Sequence, residues 1–265
     1  HKLSDRDYKN AYQQLMWDLN IRIDEKPENR FLVDFENGLF NLKELRFIPR
    51  SPEHFVVCHF KANFNASSPT PTFDRFIKIA SNGDKEIAFR ILQFLAYCII
   101  PGNAGKYFFV LGTASNSGKS VLAKFLEELF GKKFVSHVAL HDFGGTFDLG
   151  SMANKFLNTA MDLSAKQIPE NSVSKLKSLT GGDSIALNVK FTQPFSYLTE
   201  AKLVFGTNHA IHLDSCDTAF WERLIFVPFV NSIPKSKQDH ELINKFREEK
   251  DGIFYKMVRI ANFII

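Results

Sequence analysis

The chain has 265 residues, which fits one large domain or two modest ones, and its 45% hydrophobic content supports an ordinary globular core. A net charge of +4 permits a nucleic-acid partner, but no basic tract is concentrated enough to bind one, so any such contact must come from scattered loops. Three cysteines without a CxxC pair argue against a disulfide framework and a structural zinc site, and favour a reducing cytoplasm.

Membrane and export signals are missing from the sequence. No window approaches 18 uncharged apolar residues, which predicts no membrane span, and no signal peptide pattern is present. His209 and His212 form an HxxH pair, but no acidic or cysteine ligands flank it at metal spacing, so we assign no metal there. Because the chain begins with His1 and ends in an apolar stretch, we interpret it as a fragment of a longer protein.

The first part of the chain mixes helix and strand signals. Residues 4–20 carry apolar side chains at helical spacing and predict an amphipathic helix. In residues 30–43, Asn37-Gly38 separates two strand-like runs, which predicts a hairpin with a type I′ turn. Residues 55–60 are a further short strand candidate.

A Ser, Thr and Pro-rich stretch, residues 65–73, is typical of a linker or exposed loop. Two helices are predicted after it, over residues 73–80 and 85–99. The Pro- and Gly-containing segment that ends the second helix marks a domain boundary near Pro101. The two predicted parts are an N-terminal accessory region, residues 1–100, and an ATPase domain, residues 101–265.

From residue 106 the pattern changes to that of an α/β domain. Continuous apolar runs, typical of strands buried on both faces of a parallel sheet, alternate with helical stretches. The runs are residues 107–111, 156–161, 202–205 and 224–230.

The strongest motif lies between the first of these strands and a helix, which is the context of a phosphate-binding loop. Backbone N–H groups of such a loop point at phosphates, and Gly118 lets the backbone approach closely. Lys119 would neutralise the β- and γ-phosphates and Ser120 would ligate Mg²⁺. The first glycine is displaced, since Thr113 stands where the usual pattern has it. The predicted nucleotide contacts are Gly112, Thr113, Ala114, Ser115, Asn116, Ser117, Gly118, Lys119, Ser120 and Val121.

Two residues at later strand ends and one that precedes a strand extend this site. Asp162 ends an apolar strand and is a candidate for holding Mg²⁺, but Leu163 follows where many motors have a second acid, so the group that activates the attacking water stays open. Asn208 ends another strand and could orient that water, and Arg223 could serve as an arginine finger. In isolation, a polar strand end and a surface salt bridge are the simpler interpretations of Asn208 and Arg223.

Taken in order, these motifs resemble the superfamily 3 helicases, particularly the helicase portion of phage and plasmid primase-helicases and poxvirus-type helicase-primases. The resemblance covers about residues 106–229. The matching segments are Asn116–Ser120, Asn158–Ser164, Lys177–Asp183 with Lys190-Phe191, Ala201–Asn208 and Arg223–Phe229.

The resemblance implies an AAA+-like P-loop ATPase core in the α/β class, with a parallel sheet flanked by helices and a smaller mixed N-terminal region before it. It also implies ATP and Mg²⁺ as cofactors, 3′–5′ translocation on single-stranded DNA at replication forks, and a ring, usually a hexamer, in which Arg223 acts on a neighbour's nucleotide. A channel hairpin would carry Lys190 to the DNA phosphates, with Lys175 and Lys177 as secondary candidates. A primase or polymerase domain would lie elsewhere on the full-length chain, and a viral protein would act in the host cytoplasm.

Two other functions stay open from the sequence. A P-loop phosphotransferase would share the loop, but the chain has no Lys/Arg-rich lid and no clear acceptor site. An ATP-regulated DNA-binding or assembly module that hydrolyses slowly is favoured by the missing second acid after Asp162. Turnover stimulated by single-stranded DNA would distinguish a motor from both.

Overall fold

The computed structural model describes residues 31–51, 54, 56, 59–103, 105–145, 148–187, 195–213 and 217–265. The helix predicted over residues 4–20 and the DNA-contact candidate Lys190 lie outside these residues. In the described part of the chain, no helix has the length and apolar character needed to cross a membrane.

A small four-stranded sheet opens the described structure, in the order β3-β2-β1-β4. Its first two strands form the predicted antiparallel hairpin, in which Phe35 pairs with Gly38. The two turn residues are therefore Glu36 and Asn37, one position earlier than predicted, and Asn37 has no positive φ. Instead, the Asn37 side chain makes both hydrogen bonds available from the backbone of Phe64. The strands are β1 (Leu32–Phe35), β2 (Gly38–Asn41), β3 (Arg46–Ile48) and β4 (His59–Phe60).

The helices predicted over residues 73–80 and 85–99 are confirmed as α1 (Pro71–Ala80) and α2 (Lys85–Ile99). Asp84 caps α2, because its carboxylate accepts from the N–H groups of Glu86 and Ile87. The N-terminus of α1 is capped from the far end of the chain: the Glu249 carboxylate accepts from two N–H groups in its first turn, each at 2.8 Å.

The second part contains a five-stranded sheet in the order β11-β5-β10-β7-β6, and every strand pair in it is parallel. The carboxyl ends of all five strands therefore lie at one edge. The chain reverses its direction of winding between β5 and β10, and ligands of open parallel sheets bind at such a switch point. The strands are β5 (Phe108–Thr113), β6 (Val135–Ser136), β7 (Leu157–Leu163), β10 (Lys202–Thr207) and β11 (Leu224–Phe229).

Helices cover both faces of this sheet, and a short antiparallel pair, β8 (Ile185–Leu187) and β9 (Phe195–Tyr197), stands apart from it. The α/β class with a parallel sheet flanked by helices and a mixed region before it is thus confirmed. The helices are α3 (Lys119–Phe130), α4 (Glu170–Gly181), α5 (Thr218–Arg223), α6 (Leu242–Glu248) and α7 (Lys250–Ile264).

The core forms two clusters, one on each face of the large sheet. The first extends from Val33 in the small sheet through Phe94 and Leu126 to Phe254 near the end of the chain. It crosses the boundary proposed near Pro101, and the division into domains there stays a prediction. The chain has 28 Phe residues, and the twelve largest fully buried side chains of the described residues are all Phe, so this residue type dominates the core.

Candidate nucleotide-binding site

The loop between β5 and α3 is shaped for a close approach of its backbone to a ligand. Gly118 caps α3 with φ +93°, a conformation that side chains with a Cβ rarely adopt. A Cβ at this position would also lie 2.4 Å from the ring of Phe76 on α1. The N–H groups of the first turn of α3 have no carbonyl partners within the helix, so they face the carboxyl edge of the sheet as donors for an anion.

Lys119 is buried in this loop, with 6% of its surface exposed. Its ammonium donates to the carbonyl of Ala114, to Ser117 Oγ at 3.3 Å and to Asn208 Oδ1 at 2.9 Å. Burial lowers the pKa of Lys119 below its usual range, because a desolvated ammonium loses hydration energy. The structure therefore joins Lys119 and Asn208, which lie 89 positions apart in the sequence, in one hydrogen-bonded group.

Two backbone hydrogen bonds fasten the loop to the segment that leaves β11. The N–H of Ala114 donates to Phe229 O, and the N–H of Ile233 donates to Asn116 O, each at 3.0 Å. Since β11 pairs with β5 along its whole length, the loop is held on both sides by one rigid sheet. Because it is already ordered, such a loop loses little conformational entropy when a ligand binds.

The two residues predicted to hold Mg²⁺ are available for a ligand. Asp162 lies near the carboxyl end of β7 and Ser120 in the first turn of α3, and both are exposed. Neither side chain has a hydrogen-bond partner among the described residues. A carboxylate oxygen and a hydroxyl oxygen are ligands that, with phosphate oxygens and water, suit the small hard Mg²⁺ ion. Leu163, which follows Asp162, is buried and turned into the core.

A cleft of about 480 Å³ opens over the loop. Met161 and Asn208 line one side of it, and the segment after β11 supplies the other wall. That wall has three apolar and three polar side chains: Ile233, Leu242, Ile243, Gln238, Asp239 and His240. Sequence reasoning missed this wall, because no motif marks residues 233–243. Only the crossing of the chain after β11 brings them beside the loop.

Arg223 lies at the opposite, amino-terminal edge of the sheet. Leu224, the next residue, pairs with Phe108 at the start of β5, whereas the phosphate loop follows the end of β5. Six strand residues separate the two edges by roughly 20 Å at about 3.3 Å each. Arg223 therefore does not reach the loop of its own chain. Its Nη1 donates to Ala219 O at 2.7 Å, and its Nε is buried without a hydrogen-bond partner in the described structure.

The secondary DNA candidates both lie on α4. Lys177 donates to the carboxylate of Asp217 at 2.6 Å, and this hydrogen bond holds the pKa of Asp217 below its usual range. Asp217 also caps α5 by accepting from the N–H of Phe220. Lys177 thus anchors the helix that carries Arg223, and its ammonium is committed to that contact. Lys175 is half-buried.

Two family models match the chain. One, described as D5 N terminal like, covers residues 2–81, and the other, a family of unknown function (DUF5906), covers residues 110–223. Each covers less than half of the chain.

Curated relatives carry helicase names. The chain is 25% identical over 228 residues to putative helicase L207/L206 of Acanthamoeba polyphaga mimivirus, covering 82% of this chain and 24% of the relative. It is 24% identical over 254 residues to putative helicase 184R of Invertebrate iridescent virus 6, covering 88% of this chain and 25% of the relative. The chain therefore spans about a quarter of the length of these relatives.

The fold has a counterpart among solved structures. The apo structure of the NrS-1 C-terminal region superimposes with a TM-score of 0.59 at 14% identity. The match covers 90% of this chain and 55% of that one. At this identity the likeness concerns the fold alone.

Proposed function

We propose that this chain, a relative of the superfamily 3 helicases, is the ATP-driven motor of a viral or plasmid-type DNA helicase. The observation that carries the proposal is the buried ammonium of Lys119, held at the carboxyl edge of a parallel sheet between the loop carbonyl of Ala114 and Asn208. A cation placed beside the free N–H groups of a helix N-terminus is what a triphosphate requires.

Nucleotide binding, on this proposal, exchanges the partners of Lys119. The β- and γ-phosphates replace Ala114 and Ser117 as acceptors for the ammonium, and the N–H groups of the first turn of α3 bind the same phosphates. Asn208, released in part from Lys119, is placed to orient the attacking water. Ser120 and Asp162 would hold Mg²⁺, which supplies neutralisation of the phosphate charge when bound.

Each site is completed by a second copy of the chain. Arg223 lies about one strand length away from the loop of its own chain, so it can act as an arginine finger only on a neighbour's nucleotide. Subunits that share sites in this way form a ring, which we propose to be a hexamer by resemblance.

The DNA partner is proposed to run through the ring. Lys190, between β8 and β9, would contact phosphates without reading sequence, as a motor needs, with Lys175 as a secondary contact. Such a motor works at replication forks.

The proposed location is a reducing cytoplasm, which the free buried thiol of Cys98 fits.

A second candidate is an ATP-regulated assembly module with slow hydrolysis. It is favoured by the burial of Leu163, since no carboxylate follows Asp162 to activate water. Under this alternative, nucleotide binding promotes ring assembly on DNA without stimulated turnover. Single-stranded DNA that accelerates turnover would exclude it.

Lys119→Ala tests the proposal directly. We expect ATP turnover to fall by at least about 100-fold, because charge-assisted hydrogen bonds are worth about 1.5–3 kcal/mol each and more than one is lost. Turnover is measured with and without single-stranded DNA, and binding with a fluorescent ATP analogue. The matched control is Lys78→Ala, which removes one exposed lysine from α1. Turnover that survives in Lys119→Ala at the level of the control contradicts the proposed loop.

A further inference from the structure

A second cleft, larger than the first, lies at the other end of α3. Its volume is about 730 Å³, against 480 Å³ for the cleft over the phosphate loop. It forms where the end of α3 meets β4 and the junction of α6 and α7, and we call it the α3–α6 cleft. The charged side chains that line it are Lys61, Glu128, Lys132, Lys133, Arg247 and Lys250.

The walls of the α3–α6 cleft concentrate positive charge. Five lysine and arginine side chains line it against one carboxylate, Glu128. This local excess equals the net charge of the entire chain, which is +4. A cleft that collects one sign of charge focuses its field on the space between its walls and attracts the opposite charge.

Three of the five cations have no carboxylate partner in the described structure. Glu128 binds Arg247, and Glu36 lies 3.8 Å from the ammonium of Lys250. The remaining three, all exposed, are Lys61, Lys132 and Lys133. Their charges are therefore not balanced within the protein, and they face the cleft without competition from an acid.

The end of α3 accounts for only part of this charge. A helix C-terminus carries about half a negative elementary charge, so lysines there are expected to some degree. Half a charge balances at most one of the three unpaired lysines. Lys61 comes from the small sheet and has no such helix end to neutralise.

The floor of the α3–α6 cleft is apolar and aromatic. Phe125 and Phe130 are buried below it, and Phe134 is half-exposed at its margin. The Phe134 ring packs on Phe156 at 5.4 Å between centroids, and the ammonium of Lys133 lies 4.6 Å from the same ring. A base that stacks on Phe134 would displace the Lys133 ammonium from the ring toward a phosphate, and an aromatic ring beside unpaired lysines is the combination by which proteins hold single strands.

We propose that the α3–α6 cleft binds a short stretch of single-stranded nucleic acid, with phosphates on Lys61, Lys132 and Lys133 and a base against Phe134. This binding goes beyond the proposed function, since the cleft shares no element with the β8–β9 pair and needs no nucleotide. Nucleic acid is favoured over an acidic peptide because the cleft places an aromatic ring, Phe134, beside its unpaired lysines.

The test uses Lys132→Ala/Lys133→Ala in the whole chain without nucleotide, so failure of the ATPase proposal does not affect it. The probe is a labelled oligothymidylate of about 12 nucleotides, within the usual site sizes, and affinity is measured by anisotropy over a range of salt. Two lost phosphate contacts should reduce the slope of log K against log salt by up to about 1.4. The matched control, Lys85→Ala/Arg90→Ala on α2, removes two exposed cations elsewhere.

Two further arms identify the ligand. Phe134→Leu should weaken the affinity for oligothymidylate by about fivefold or more, which corresponds to the low end of the free energy of base stacking. The affinity for an abasic strand of equal length should not change. Polyglutamate tests the acidic-peptide alternative. A salt slope that changes no more than in the α2 control would overturn the proposal. Equal losses of polyglutamate and oligothymidylate binding in Lys132→Ala/Lys133→Ala would also overturn it, because the cleft would then not distinguish nucleic acid from an acidic peptide.

Discussion

The two edges of the large sheet differ in what their charged groups bind. At the carboxyl edge, Lys119 and Asn208 bind each other, and Asp162 is exposed to solvent. At the amino edge the cations are bound to main-chain carbonyls: Arg223 donates to Ala219 O, and the buried ammonium of Lys202 donates to Gly102 O. Lys119 also donates to the main-chain carbonyl of Ala114, so the two edges differ in that the carboxyl edge adds a side-chain acceptor and an exposed carboxylate.

The amino edge nevertheless contains one polar atom that its own chain leaves unused. The Nε of Arg223 is buried without a partner in the described structure, and an unsatisfied buried donor costs about 1–3 kcal/mol. The carboxyl edge of another copy would offer the missing acceptor once a phosphate lies there. On the proposed function, each chain therefore carries two complementary halves of a site, at opposite ends of one sheet.

The strongest challenge to this comparison is Arg223→Ala. If Arg223 completes a neighbour's site, turnover should fall by about 10³–10⁵ while ATP affinity of the isolated chain stays unchanged, because the arginine lies far from its own loop. Arg223→Lys should remain impaired, since an ammonium cannot replace the guanidinium fork. The neighbouring exposed residue gives the control, Glu222→Ala.

Mixing variants separates a shared site from a local defect. Arg223→Ala subunits combined with Asp162→Ala subunits should recover part of the turnover that each lacks alone, since some interfaces then contain both intact halves. Mixed particles must be verified by mass. If verified mixtures show no recovery at any ratio, the two edges do not form one site.

Asn208→Ala tests the role of Asn208 at the carboxyl edge. We expect a loss of turnover of about 100-fold, the lower range for removing one positioned polar group, with a smaller change in ATP affinity. The variant removes an acceptor from Lys119 as well as the group that orients water. His209→Ala, an exposed neighbour, is the control. A loss confined to affinity would show that Asn208 only supports the lysine.

The smallest effect concerns the amino edge. Burial lowers the pKa of Lys202 from 10.5 to about 8. Above pH 8 the unfolded chain retains a proton that the native state has released, so native stability relative to Lys202→Met should rise by about 1 kcal/mol per pH unit toward pH 10.5. Urea unfolding of both proteins measures the difference. Cys98, whose pKa burial raises to about 12, is present in both proteins, but Lys202→Met removes the nearby charge that lowers the thiol's pKa, so Lys202→Met is also compared in the Cys98→Ala background. Parallel stability curves would refute the lowered pKa.

Local patterns predicted much of this molecule. Both N-terminal helices and the parallel sheet follow from periodicity, and the phosphate loop is contiguous in sequence, so the strand before it and the helix after it are recognisable from the residues alone. The hairpin turn moved by one residue because Asn37 is occupied by a distant partner, Phe64. A contact across 27 positions leaves no trace in the local pattern.

The rest of the candidate site depends on tertiary structure. The wall that residues 233–243 form lies beside the loop only because the chain crosses back over it after β11. The commitment of Lys177 to Asp217 likewise joins residues 40 positions apart. Such pairings decide whether a lysine is free to contact DNA or is bound to an acid. The sequence alone therefore identifies candidate lysines but does not show which of them are free.

Helix α3 begins at the phosphate loop and ends at the α3–α6 cleft, and its 12 residues span about 18 Å. Helix α6 also contacts both clefts, since Leu242 lines the nucleotide cleft and Arg247 lines the α3–α6 cleft. A single hydrogen-bonded helix, stiff along its axis, thus connects the two clefts. If an occupant of the distant cleft changes nucleotide affinity by some factor, thermodynamic reciprocity requires a bound nucleotide to change the affinity of that occupant by the same factor.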